Sequence, residues 1–153
     1  RVASIRAEAP PAEATAILDA EGGTLIPGLF DAHVHITSGW SALLHIAAGV
    51  TSVRDMGSDN PTLLNLMQSI ESGEQIGPRV LASGLIEGRS PFSVRNGIVV
   101  DRLDPALVAV RWYADHGYYG IKIYNSMPPD FVPRWRQKPI ASASESWATC
   151  RHS

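Results

Sequence analysis

From residue 29 onward the chain alternates between two hydrophobic periodicities, and that alternation restricts the fold more than any other feature. Four apolar or β-branched runs have strand length: LFDAHVHI (29–36), VTSVRDM (50–56), RVLASGLI (79–86) and YGIKIYN (119–125). Between them lie WSALLHIAA (40–48), PTLLNLMQSIESG (61–73) and DPALVAVRWYADHG (104–117), whose apolar residues recur three to four apart, as on one face of a helix. Gly49, Gly73 and Gly117 follow these segments as C-terminal stops. Pro61 suits a first helical turn, and Asp104 followed by Pro105 reads as an N-cap with proline behind it.

Strands alternating with helices predict a parallel sheet with crossover connections. Four such units make half of a (β/α)8 barrel. An open doubly wound sheet is the competing architecture, but it wants a glycine-rich phosphate turn after its first strand, and HITSGWS is not one. Charged residues make up 18% of the chain, against about 25% in ordinary soluble domains, which favours strands buried on both faces. The segment EGRSPFSVRNGIV (87–99) reads as a long polar loop. Glu21-Gly22-Gly23, between two short apolar runs, reads as a hairpin turn.

The net charge of −2 gives no reason to expect nucleic acid or an anionic membrane surface as partner. No apolar run reaches the roughly 18 residues of a membrane span. A single cysteine, Cys150, excludes an intrachain disulfide framework and a thiolate zinc site. The chain opens on Arg1 without a signal-peptide pattern, so an upstream segment is expected, with the cytoplasm as the default compartment.

The residues that carry chemistry sit on the predicted strands. His33 and His35 are two apart on the first strand, so both imidazoles project from one face and can converge on one cation. Neutral imidazole suits zinc, iron, nickel or cobalt; two packed histidines are the alternative. Asp31 could orient a ligand from behind, or be a strand-edge carboxylate. Lys122, flanked by Ile121 and Ile123, must lose its proton or find a partner to offset desolvation. Arg54 and Asp55 end the second strand, where they could line a site, although a structural ion pair is the plainer reading. His45 falls on the apolar stripe of a helix as a packed or capped residue. His116 stands at a helix end as a partner for the dipole. Arg89 and Arg95 lie in a loop that could cover a substrate or simply be solvated.

LIPGLFDAHVHI resembles the opening signature of the amidohydrolase superfamily, AAGVTSVRDMG its second strand, and GIKIYNS its fourth. The imidazolonepropionase-like and prolidase-like members are the most similar, and the resemblance runs from about Ile17 to Pro133. It implies an α/β fold in which residues 1–26 are the remnant of a small N-terminal β-sandwich domain and residues 27–133 are the first four strand–helix units of a TIM-type barrel. It further implies a metal-dependent hydrolase of carbon–nitrogen bonds, with His33, His35 and Lys122 as metal ligands. The cofactor would be one or two divalent cations, zinc favoured, with a carbon dioxide-derived carbamate on Lys122. The substrate would be a small amide or a dipeptide, and an oligomer is compatible with it. The family places further histidines on the fifth and sixth strands and a general-base aspartate on the eighth, so the catalytic base is expected to be missing from this chain. Residues 134–153, RWRQKPIASASESWATCRHS, break the pattern and read as an out-of-frame continuation. The chain by itself is therefore expected to be inactive. A non-catalytic fragment serving as an oligomerising or binding module is the alternative, and an unrelated α/β domain with coincidental histidines is a third reading.

Overall fold

A computed structural model describes residue 5 and residues 16–137; most of the anomalous tail, including Cys150, lies outside the described residues. The elements run β1 (Leu29–Val34), α1 (Gly39–Ala47), β2 (Val50–Asp55), α2 (Asn60–Glu71), β3 (Arg79–Gly88), β4 (Ile98–Val100), α3 (Leu103–Asp115), β5 (Gly120–Ile123) and α4 (Phe131–Gln137). The expected alternation is present, and every strand pairing is parallel.

Local chemistry sets the helix ends. Ser38 caps α1 by accepting the Ser41 N–H, and Asp59 caps α2 through Thr62, with Pro61 in the first turn. Gly49, Gly73 and Gly117 hold φ of +79°, +78° and +76°, the left-handed conformation in which a side chain would be strained. Asp104 is not the N-cap of α3. Arg102 holds that position with no side-chain cap bond, and Asp104 falls in the first turn, where its charge still complements the helix dipole.

β1, β2 and β3 lie side by side in that order. β3 has ten residues against six in β2 and runs past its neighbour. Beyond Ala82 it pairs with β5 through Ser83–Ile86, and with β4 through Ile86–Gly88. Ile86 has both Ile98 and Ile123 as partners, so β4 and β5 occupy opposite edges of β3. Among the described residues the sheet therefore has five strands rather than four. Residues 87–99 are not simply a polar loop: β3 continues through Glu87 and Gly88, and Ile98-Val99-Val100 supplies apolar, β-branched strand residues at the far end.

One face of the sheet is covered by the helices. Val34, Ile36, Val53, Leu63, Leu66, Ala82, Ile86, Ala109 and Tyr113 form its core, all buried. Tyr113 lies flat on Gly84, where any Cβ would collide with the ring, and its hydroxyl donates to the Leu85 carbonyl at 2.8 Å. Asn60 links Tyr113 to Tyr118, and the two tyrosine rings meet edge to face at 4.7 Å. Burial pushes both phenols above their ordinary range. The Glu21–Gly22 turn forms, closed by Gly23 N–H to Ala20 O at 2.7 Å, but no hairpin follows. Leu18 and Leu25 on its flanks are almost fully exposed, with no sheet to pack on among the described residues.

Candidate metal centre

Which face each strand residue takes follows from the register. Asp31 stands opposite Val53, and Val34 opposite Asp55. Three steps along β1 thus match two along β2, which is a one-residue bulge. Without it His33 would face the helices. With it Val34 and Ile36 enter the core, and His33 and His35 emerge on the opposite face, exposed. Asp31 stabilises the bulge: its Oδ1 accepts the His33 backbone N–H at 3.0 Å.

The two imidazole rings are 5.5 Å apart, centre to centre, and tilted by 60°. Two imidazoles sharing one tetrahedral ion at about 2.1 Å bring their ring centres to roughly 5 Å, so the pair fits one cation. Asp55, Ala82 and Gly84 lie on the helix side, which places Leu85 and its partner Lys122 on the histidine side. Lys122 is half-buried, and its Nζ sits 5.1 Å from the centre of the Tyr124 ring, a cation–π contact. Among the described residues, no three His, Cys, Asp or Glu side chains come together as a metal-binding group. The histidines supply half of a tetrahedral set and no more.

Neither Arg54 nor Asp55 enters an ion pair among the described residues, and as successive strand residues they face opposite ways. Arg54 Nε donates to the Ala32 carbonyl at 2.9 Å, bracing β1 from β2. Asp55 is fully buried and accepts from Ile36 N, Gly57 N, Ser58 N and Ser58 Oγ. It ties the ends of β1 and β2 together rather than lining a site. His45 Nδ1 lies 2.6 Å from the Ser41 carbonyl, a locally satisfied helix residue. His116 caps α3, with Nδ1 2.7 Å from the Trp112 carbonyl and its ring stacked on Trp112. Arg89 pairs with Asp101 at 3.5 Å, and Arg95 is exposed.

The sequence reading passed over Glu87, which it placed at the start of a loop. The side chain is fully buried near the end of β3, on the histidine side of the sheet. Its Oε1 accepts Ser126 N at 2.8 Å and Gly88 N at 3.1 Å, whereas Oε2 has no partner among the described residues. An acidic residue closing the apolar run LASGLIEG was the available signal.

This sheet is shared with solved structures. Bottromycin amidohydrolase matches with TM-score 0.64 and 21% identity over 72% of this chain and 25% of its own. A Bifidobacterium longum protein assigned as a prolidase matches with TM-score 0.56 and 28% identity over 67% of this chain and 27% of its own. The chain has an amidohydrolase-superfamily fold. Aspergillus niger ochratoxinase matches with TM-score 0.51 and 18% identity, over 67% of this chain and 34% of its own. The chain thus spans between a quarter and about a third of the length of these amidohydrolase structures. No family model matches the sequence, and no curated protein matches it. Among the described residues, no helix is long and apolar enough to cross a membrane.

Proposed function

We propose that the chain is part of a metal-dependent amidohydrolase acting on small amides or dipeptides, in which residues 27–133 furnish the first barrel units and residues 1–26 lead in from a small β domain. The observation that carries this reading is the β1 bulge, which brings His33 and His35 out together on the uncovered face at a spacing suited to one cation. A divalent cation, zinc favoured, would polarise the amide carbonyl and acidify the attacking water. His33 and His35 would hold it as neutral imidazoles. Lys122 lies on the same side of the sheet and, as a carbamate, would add an anionic oxygen. Arg54 steadies the histidine strand by its bond to Ala32, and Asp31 fixes the backbone at His33.

The ligand set on the described residues is incomplete, so the chain alone should bind metal weakly and leave amides intact. Cobalt(II) titration followed by its visible absorption tests the reading. Saturable binding that disappears in His33→Ala and in His35→Ala is expected; binding indifferent to both substitutions defeats it. A second reading, an oligomerising module, draws on the half-exposed Leu29 and Phe30 on the edge strand β1. Sedimentation separates the two, since that reading requires a discrete oligomer whose assembly does not depend on metal.

A further inference from the structure

We propose that two copies of this chain close one eight-stranded parallel barrel and share the metal centre that each begins; this rests on the metal-hydrolase reading above. The argument starts at the two ends of the sheet. β1, β2, β3 and β5 lie side by side, all parallel. Among the described residues β1 pairs only with β2, and β5 only with β3, so each leaves one edge without a neighbour. β4 covers neither edge, because it joins β3 at Ile86–Gly88, beyond the end of β2. A bare edge offers its N–H and C=O groups to another strand.

Exposed apolar surface accompanies those edges. Leu29 and Phe30 on β1 are half-exposed, and so is Ile123 on β5. Trp40 and Leu44, one turn apart on α1, are 76% and 65% exposed. The helices of a closed barrel form an outer ring, which would set α1 of one copy against α4 of the other.

A second copy fits both edges at once. Four parallel strands are half of the eight that close such a barrel. A two-fold axis along the barrel keeps every strand parallel and puts β5 of each copy beside β1 of the other. Both seams then close in a single dimer, whereas copies added at one edge without closure would build an open filament. The metal site points the same way. His33 and His35 would make half of a tetrahedral set, and no three His, Cys, Asp or Glu side chains gather among the described residues. The interior of an eight-stranded barrel is just wide enough for side chains to fill. Two-fold closure sets the two histidine strands opposite each other across that interior. It also brings Lys122 of each copy to the strand beside the partner's His33 and His35. The ligands that one copy lacks are thus supplied by the other, and zinc should tighten this dimer.

The test is sedimentation equilibrium of the full chain with and without zinc, read together with amide hydrogen exchange. A monomer–dimer equilibrium is expected, tightened at least tenfold by zinc. On dimerisation the edge-facing amides of β1 and β5 should gain protection together, while those between β2 and β3, already paired, should change little. Phe30→Lys and Ile123→Lys, one on each edge, should each weaken the dimer at least tenfold. A monomer at every concentration, an open-ended polymer, protection confined to one edge, or indifference to either substitution in a folded chain would overturn the proposal. So would zinc bound equally tightly by monomer and dimer. If either variant unfolds, the exchange pattern of the unsubstituted chain decides. The two readings fail separately. A monomer whose zinc binding needs His33 and His35 would refute the shared barrel and leave the hydrolase reading standing. A dimer with both edges protected and no affinity for zinc would keep the closed barrel and strike the metal-hydrolase reading.

Discussion

The Asp31 carboxylate accepts the backbone N–H of His33 at 3.0 Å, inside the bulge that turns His33 away from the helices. A side chain two residues upstream thus fixes the direction in which both histidines point. Asp31→Ala should weaken zinc binding about tenfold, the lower range for removing a residue that orients a ligand. Asp31→Asn keeps an acceptor oxygen and should recover most of it. Calorimetric titration of the two variants checks this, and equal affinities for Ala and wild type would show that the bulge holds without Asp31.

Asp55 is the buried tie between strand ends, with four hydrogen bonds converging on one carboxylate. Asp55→Ala strands those donors away from water, and charged hydrogen bonds of this kind are worth about 1.5–3 kcal/mol each before relaxation. A loss of about 3 kcal/mol or more is expected in urea denaturation. A loss below about 1 kcal/mol would mean that water replaces the carboxylate.

Tyr113 and Gly84 form one packing unit, and each can be tested. Tyr113→Phe leaves the Leu85 carbonyl and the Asn60 amide without the hydroxyl, which should cost about 1–2 kcal/mol. Gly84→Ala forces a methyl group into the ring, an overpacking worth about 1–3 kcal/mol. The double variant should cost more than the sum if the ring cannot move, and less if losing the hydroxyl lets it slide.

The acid side of the stability profile should carry a mark from Asp59. Hydrogen bonds from the Thr62 hydroxyl, and then from its amide, hold the Asp59 carboxyl below its ordinary value of 3.8. A group depressed on folding stabilises the native state above the unfolded pKa, and that contribution fades as pH falls through the folded one. Asp59→Ala should therefore lower stability at neutral pH and flatten the decline below about pH 4. Thermal melts at pH 7 and pH 3 compare the two chains; parallel profiles would remove Asp59 from the account.

The fold was largely legible because strand and helix periods differ and because glycines mark the helix ends. Gly49, Gly73 and Gly117 announced three boundaries to within two residues. β4 escaped notice because three residues are too few to show a period, and its pairing with Ile86–Gly88 is a contact between segments ten or more residues apart. The structural ion pair expected for Arg54 and Asp55 is replaced by separate hydrogen bonds, because neighbouring strand residues face opposite sides and each meets backbone groups of β1 or the residues after it. The direction of His33 could not be read from spacing alone, since a one-residue bulge reverses every face downstream of it. Glu87 was passed over because the end of β3 was drawn too early.

β3 outlasts β2 by several residues, and those residues would otherwise present bare amides and carbonyls beyond the shorter strand's end. Ile98–Val100 turns back to hem that stretch. The insertion between β3 and α3 is thus also an edge guard, and shortening residues 89–97 would turn a closed seam into a site for unwanted strand addition.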